Sequence, residues 1–580
     1  MIKKMVLLVL LFASSIGFAK TNSIKFTQSP QLNEIGRTYL TLFWGTNTSA
    51  KGTVFYGKTK AYELGQIDET DFQTFHQVTI SKLWPGTVYH LKVVASSNSE
   101  SVSSGDWMVI TASHQESTGD IEVFFTRSVD TSLSLLSPAV GDRKPYLTLI
   151  DRINEAKYSI DFCAYSLNIS DVANALVKAK QRGVRVRFIY DDGHQQSAVE
   201  RIKSFGIRVI NDSFGIQNDG KGLQHNKFVI FDARDTTSFS DDWVWTGSYN
   251  FTTQATNENA ENAILIQDES LAKIYTMEFN EMWGSVTDTP NADSSRFGQR
   301  KRDNTPHEVD VNGIRMEAYF SPGDHVENHI IHAIDSAENN IEFALLSFTR
   351  YSIRNALINA KVRRGVTVAG VLDKGQENDS YSQYKDLKSS GIDVLISGES
   401  GMLHHKYMIA DGHTDSDPLV ETGSYNWTTS AENYNNENVV IIHDAQIADY
   451  YWQEFADRYH NSGGHNPLTT NVRQNDRPKG MPSGFILAEP FPNPARLDET
   501  KPVEIWLKVT PINTRQSSLS IFNVLGQRVY TFKGDFTHPG FYRMTWDKKN
   551  FRDQLVSEGV YFLSAKIGGH VITKKIVITQ

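Results

Sequence analysis

His225-Asn-Lys227-Phe-Val-Ile-Phe-Asp232, followed by Thr246-Gly-Ser-Tyr-Asn-Phe-Thr-Thr253, decides how this chain is read, because the chain writes it twice. The second copy is His404-His-Lys406-Tyr-Met-Ile-Ala-Asp411, then Thr422-Gly-Ser-Tyr-Asn-Trp-Thr-Thr429. A glutamate follows each copy eleven residues after the Asn, in Asn259-Ala-Glu261-Asn262 and Asn435-Asn-Glu437-Asn438. One His-x-Lys-x4-Asp arises by chance on the order of 10⁻⁴ per position. Two copies with the same TGSYN behind each do not. In a strand, residues two apart share a face, so His225 points with Lys227 and His404 with Lys406. The apolar residues that follow bury each strand. Asp232 and Asp411, five residues past their lysines, have the opposite parity and are expected to hold their own halves together.

The repeat extends outward from these motifs. Leu149-Ile-Asp-Arg-Ile-Asn-Glu-Ala156 recurs as Ile330-Ile-His-Ala-Ile-Asp-Ser-Ala337, and Ser159-Ile-Asp-Phe162 as Asn340-Ile-Glu-Phe343. Ala175-Leu-Val-Lys-Ala179 before Arg182-Gly-Val184 recurs as Ala356-Leu-Ile-Asn-Ala360 before Arg364-Gly-Val366. Helical periodicity alternates with short apolar runs, so each half is an α/β unit with a mixed or parallel sheet. The expected fold is multidomain: a central α/β pseudo-dimer of two halves, 120–285 and 310–462, between two all-β sandwich domains. Residues 286–309 join the halves; their cluster of Arg296, Arg300, Lys301 and Arg302 reads as a solvated linker that could also line an anionic cleft.

The duplicated motif resembles the HKD signature of the phospholipase D superfamily, and both copies are complete at His, Lys, Asp, Gly, Ser and Asn. The resemblance implies a phosphodiesterase that works through a phosphohistidine. One imidazole attacks phosphorus in line while the other protonates the leaving oxygen and then activates water. His225 is favoured as nucleophile and His404 as acid/base. Lys227 and Lys406 are expected to neutralise the non-bridging oxygens, work that a metal ion performs elsewhere, so no metal or other cofactor is expected. Ser248 with Asn250, and Ser424 with Asn426, share a face and are expected to bind phosphate oxygens. Glu261 and Glu437 resemble the carboxylates that orient the site histidines. The spacing departs from the family between Asp232 and Gly247, where the extra residues Asp235–Trp243 read as a loop near the cleft. His405 has the wrong parity for the site face and reads as packing; His194 and His413, in polar loops, read as exposed. Tyr249, Phe251, Tyr425 and Trp427 read as core or cleft wall.

At 580 residues the chain holds several domains, and 39% hydrophobic with 22% charged residues excludes a mainly disordered or polytopic membrane protein. A net charge of −9 excludes a general polycation that coats nucleic acid, while leaving room for one positive pocket. The single cysteine, Cys163, sits in an apolar run and reads as a packed thiol. Residues 1–19 have a basic start, an apolar run and small residues before Lys20, the pattern of an export signal cleaved after Ala19. Residues 24–113 carry strand-like runs at sandwich spacing, among them Leu40–Trp44 and Gly52–Tyr56. Leu83-Trp-Pro-Gly-Thr-Val-Tyr89 resembles the tyrosine corner of fibronectin type III domains. After a 463–484 linker, residues 485–580 carry Pro490-Phe-Pro-Asn-Pro494, Leu519-Ser-Ile-Phe-Asn-Val-Leu-Gly-Gln527 and Thr573-Lys-Lys-Ile-Val-Ile578. This series resembles the C-terminal sorting domain of type IX secretion substrates, which implies the type IX machinery as partner and a secreted or cell-surface location.

Three functions follow from these readings. Phospholipid headgroup cleavage leads. An extracellular nuclease cutting DNA or RNA with the same site is the alternative. A non-catalytic adhesion module is the third, and complete duplicate motifs argue against it.

Overall fold

Apolar runs of about six residues alternate with amphipathic helices through the middle of the chain, and in the computed structural model each run is a buried strand. The structure describes residues 23–465 apart from 195, 217, 219, 220 and 415, and then 485–487, 495–497, 502–509, 517–524, 526–532, 540–552, 554–567 and 570–580. The expected signal, most of the 463–484 linker and the Pro490–Pro494 landmark lie outside the described residues.

The sheet of the first half runs Arg208–Asn211, Arg185–Tyr190, Ser159–Ala164, Lys227–Phe231, Trp243–Gly247, Asn262–Gln267, Ile121–Phe125. The second half repeats that order with Asp393–Ile396, Thr367–Leu372, Asn340–Leu345, Lys406–Ala410, Leu419–Gly423, Glu437–Ile442 and Ile314–Ser321, and adds Glu308–Val311 at its edge. The first three strands of each series are parallel and joined through helices; the motif strand then enters antiparallel at the centre. Both faces of Ser159–Ala164 and Asn340–Leu345 are covered, which is why all six positions of each are buried.

Each half has an outer core of its own, and a third core belongs to both. In the shared core Phe228, Ile230 and Phe279 of the first half join Tyr407, Ile409 and Phe455 of the second. Its walls include the helices Glu269–Trp283 and Ala445–Asn461, started by Asp268 and Asp444, whose carboxylates accept the N–H of Leu271 and Ile447 at 2.8 Å. Burying a side chain the size of Phe contributes about 1.5–3 kcal/mol, so separating the halves would expose a large fraction of their stability.

The N-terminal region is β-rich. The runs Leu40–Trp44 and Gly52–Tyr56, read as two strands, belong to one, Tyr39–Gly57, because the polar residues between them stay extended. Tyr89 accepts the N–H of Trp84 on its hydroxyl at 2.9 Å. The C-terminal region holds a three-stranded and a five-stranded sheet, with Val503, Ile505 and Trp546 of one sharing a core with Leu519, Leu563 and Ile576 of the other.

Three further sequence expectations change. The extra residues Asp235–Trp243 do not approach the cleft: they follow the far end of the motif strand, about 16 Å along from Lys227 at ~3.3 Å per residue, and Trp243 itself opens the next strand. His413 is buried, paired with Asp449 at 2.6 Å and stacked on Trp452, and His194 is half-buried against Tyr165. Lys301 of the basic segment is not solvated; it is buried against Glu278 at 2.5 Å and donates to the Ser321 carbonyl at 2.8 Å. Arg300 and Arg302 beside it are exposed.

Repeat-related positions carry different charges. Asp161 is buried in a two-bonded pair with Arg187, both at 2.6 Å. Its counterpart Glu342 pairs in register with Ala369 where an arginine would be needed, and one of its carboxylate oxygens has no hydrogen-bond partner among the described residues. Burial, then Asp411, pushes the Glu342 carboxyl well above the ordinary range. The folded state therefore favours the protonated acid, so its stabilising contribution is full below the unfolded pKa near 4.5 and is lost as pH rises toward the folded value. Glu342→Gln should thus gain on the parent as pH rises above 5, by at most about 1.4 kcal/mol per pH unit. Paired denaturation curves between pH 5 and 9 measure this, and a pH-independent difference contradicts it.

Candidate active site

The backbone just before each motif strand pairs with the other half rather than with its own. His225 N–H donates to the Asn436 carbonyl at 3.1 Å and Asn436 N–H to the Leu223 carbonyl at 2.8 Å. In the second copy His404 N–H donates to the Ala260 carbonyl and Ala260 N–H to the Met402 carbonyl, both at 2.9 Å. A glycine three residues before each histidine allows this approach. A Cβ on Gly222 would lie 2.1 Å from the Tyr434 carbonyl oxygen, and one on Gly401 1.7 Å from that of Glu258.

These two short bridges bring each glutamate to the opposite histidine. His225 Nδ1 lies 2.7 Å from Glu437 Oε2, and His404 Nδ1 lies 2.8 Å from Glu261 Oε2. A carboxylate only accepts, so Nδ1 carries the hydrogen and Nε2 is the lone-pair nitrogen of each neutral ring. The carboxylates are held in turn. Ser248 donates to Glu261 Oε2 and Ser424 to Glu437 Oε2, both at 2.7 Å, while Asn435 donates to Glu437 Oε1 at 3.0 Å. The two serines therefore differ from the phosphate-binding role expected of them. Each hydroxyl has one hydrogen, and it is committed to a glutamate. The side-chain oxygens of Asn250 and Asn426 are buried without a hydrogen-bond partner among the described residues.

The lysines start the motif strands and fold back: Lys227 Nζ donates to the His225 carbonyl at 2.5 Å, and Lys406 Nζ to the His404 carbonyl at 2.6 Å. All four basic side chains are buried in one electrostatic neighbourhood. Burial, reinforced by Lys406 and opposed by Glu437 and Glu261, lowers Lys227 to about 7; burial against the same carboxylates lowers Lys406 to about 8. Burial with the two lysines takes His225 down to about 4 against the pull of Glu437, and lowers His404 in the same way against Glu261. Burial alone would raise Glu437, but His225 and Lys227 together hold it below the ordinary carboxylate range.

The two motif aspartates lie away from this cluster. Asp232 accepts the N–H groups of Lys157, Tyr158 and Ser159 at 2.7–3.2 Å. Asp411 accepts those of Glu338, Asn339 and Asn340 at 2.6–3.2 Å and the Ser416 hydroxyl at 2.7 Å. Each closes the turn into a parallel strand of its own half, Ser159–Ala164 or Asn340–Leu345. His405 points to the shared core, where it lies 2.9 Å from Glu454 Oε1 and 3.3 Å from Asn262 Nδ2. Tyr249, Phe251, Tyr425 and Trp427 are fully buried in the outer cores. Cys163 is buried as well, and burial pushes its thiol up.

One contributor escaped the sequence reading. Tyr165 sets its ring 4.7 Å from the His225 ring, edge-on, with Lys227 Nζ 5.0 Å from its centroid. No repeat signals it, because the second half has Leu346 at that position. The two glycines were legible in principle, as a Gly-x-x-His-x-Lys shared by both copies.

A family model described as cardiolipin synthase, PLD-like domain, matches twice, over residues 149–283 and 330–459. A second, described as a secretion system C-terminal sorting domain, matches residues 490–579. The chain is 34% identical to a phospholipase D of Rickettsia felis over 144 residues, 25% of this chain and 69% of that protein. It is 35% identical to the mitochondrial cardiolipin hydrolase of Xenopus tropicalis over 119 residues, 20% of this chain and 54% of the relative. A solved structure of Nuc, a phospholipase D family member from Salmonella typhimurium, aligns at 31% identity over 25% of this chain and 94% of its own, with a TM-score of 0.23.

The crossed pairing has a direct signature. In protein labelled at histidine nitrogen, Glu437→Gln should remove the low-field Nδ1–H resonance of His225 and spare that of His404. Glu261→Gln should do the reverse. Loss of the histidine resonance from the same half as the substituted glutamate would contradict the geometry.

Proposed function

Because the chain belongs to the phospholipase D superfamily and is a hydrolase of the phosphodiesterase class, we propose that it cleaves its phosphodiester by two successive displacements at one phosphorus atom. The observation that carries this reading is the pair of crossed His–Glu contacts, which commit both Nδ1 atoms and leave both Nε2 atoms for substrate. His225 Nε2 attacks phosphorus as the bond to the leaving oxygen breaks, and that oxygen takes the proton from protonated His404 Nε2. His404 then removes a proton from water, whose oxygen displaces His225 and returns both rings to their starting states. Lys227 and Lys406 neutralise the non-bridging oxygens, and Asn250 and Asn426 donate to them from their amide NH2 groups. Glu261 and Glu437 orient the rings and stabilise the imidazolium, Ser248 and Ser424 hold those carboxylates, and Asp232 and Asp411 are structural. The whole unit forms within one chain.

The sorting domain makes this an exported protein, secreted or held at the cell surface, and supports the type IX machinery as its partner. The leading substrate is a phospholipid, cleaved at its headgroup. Leu223 and Tyr434, both more than a third exposed, flank the bridge beside His225, and the exposed Lys221 and Arg300 belong to the same rim. Apolar and basic side chains together suit an anionic lipid interface. The basic pair alone would suit a nucleic acid, which keeps the nuclease as the second reading.

Two measurements test these assignments. Purified chain without its signal, offered phosphatidyl lipids, plasmid DNA and RNA in EDTA, should release headgroup, and His404→Asn should lower turnover by roughly 10²–10⁴-fold. Cleavage of nucleic acid alone moves the substrate to the second reading, and no turnover of any of them refutes the site. The lysine shifts give the pH dependence its sign. The empty site loses positive charge as pH passes about 7 and about 8, so KM should rise on going from pH 6 to 9. A KM that falls over that range contradicts the phosphate-binding role of the lysines.

A further inference from the structure

A second group of donor atoms lies where the segment between the halves crosses the second half. Asp303 and His307 come from that segment, and Asp324 from the turn before the helix Val326–Ser336. One ligand atom from each lies within 4.8 Å of the other two. The backbones are pressed together there, since a Cβ on Gly323 would lie 2.8 Å from the carbonyl carbon and oxygen of Arg302.

The hydrogen bonds place His307 between two acceptors. His307 Nδ1 lies 3.1 Å from the Ala318 carbonyl, an acceptor only, so Nδ1 carries the hydrogen. Nε2 then lies 3.0 Å from Asp303 Oδ1, and in the neutral ring two lone pairs confront each other. Such a contact requires a cation, either a proton on the ring or a metal ion between the atoms. Asp324 is 4% exposed and accepts the Phe320 N–H at 2.7 Å, and its Oδ2 lies 3.9 Å from His307 Nδ1.

We propose that Asp303, His307 and Asp324 form a site for one divalent cation of the zinc class that ties the inter-half segment to the second half. One imidazole and two carboxylates suit a borderline metal that accepts nitrogen and oxygen ligands and completes its shell with water. Calcium and magnesium favour all-oxygen shells with more ligands. The site stands apart from the displacement chemistry and braces the cleft mechanically. The same segment carries Lys301, locked to Glu278, and Gly298, whose N–H donates to Asn436 Oδ1 at 2.7 Å. Asn436 is the residue whose carbonyl holds the His225 N–H.

The test uses the full chain, stripped with EDTA and dialysed, then titrated with ZnCl₂, MgCl₂ or CaCl₂ while metal binding and thermal unfolding are followed. One zinc ion per chain should bind, and at about 100 times Kd it should raise the Tm of the catalytic unit by about 5 °C. Magnesium and calcium should not. Asp303→Asn, at an exposed position, and His307→Gln should each weaken zinc binding at least tenfold and abolish the shift, while His332→Ala, at an exposed histidine nearby, retains both. No zinc binding by the parent overturns the proposal and leaves His307 as an imidazolium between Ala318 and Asp303. Equal binding by parent and His307→Gln, or an equal shift with magnesium or calcium, overturns it as well.

Discussion

Each imidazole at the centre of this molecule depends on a carboxylate that its own half does not supply. Folding one half alone would leave a histidine without the group that fixes its tautomer and a buried glutamate without its partner. Leaving a buried charge unpaired costs on the order of several kcal/mol, so the two halves are bound to one another by the site as much as by the apolar core between them. The glycines before the histidines, the short backbone bridges and the serines under the glutamates all serve this crossed contact. The buried lysines belong to the same arrangement. Two ammonium groups sit buried with two carboxylates and two imidazoles, so each charge is balanced by its neighbours rather than by solvent.

The pseudo-symmetry is close at the backbone and loose in the charges around it. Asn226 and His405 occupy matching places between the motif His and Lys. His405 reaches Glu454, whereas the matching Glu278 takes Lys301 from the inter-half segment. Asp161 has Arg187, while Glu342 has no such cation among the described residues. A duplicated fold must keep the groups that define its reaction, but it can neutralise the same buried carboxylate by a base, by a distant lysine or by a proton. Tyr165, set against the His225 ring, has Leu346 as its counterpart, so the divergence reaches the neighbourhood of the motif histidines.

Much of this was legible in the residues because strand parity is a local property. His225 with Lys227, and His404 with Lys406, share faces for that reason, and the repeat announces both halves and the mixed sheets they build. What sequence could not carry was partner choice across space. The spacing from Asn250 to Glu261 is the same whether the glutamate serves its own histidine or the other one. Parity likewise put Ser248 and Ser424 on the site face, but a face does not reveal that a single hydroxyl hydrogen is already taken. His413 sits among polar residues, and only the fold brings Asp449 and Trp452 to cover it. The Asp235–Trp243 insertion lies where chain direction puts it, since a strand that begins at the lysine must end, and turn, at the opposite edge of the sheet.

The covalent join between the halves acquires a particular meaning for a protein sent out of the cell. Two separate subunits that complete one another's site fall apart when diluted, because association depends on concentration and the surrounding medium offers little. Here the second half is tethered, at an effective concentration on the order of millimolar for a short linker, whatever the bulk volume. Lys301 and Gly298 make that tether part of the folded body rather than a slack strap. A molecule built this way keeps its two halves together however far it is diluted.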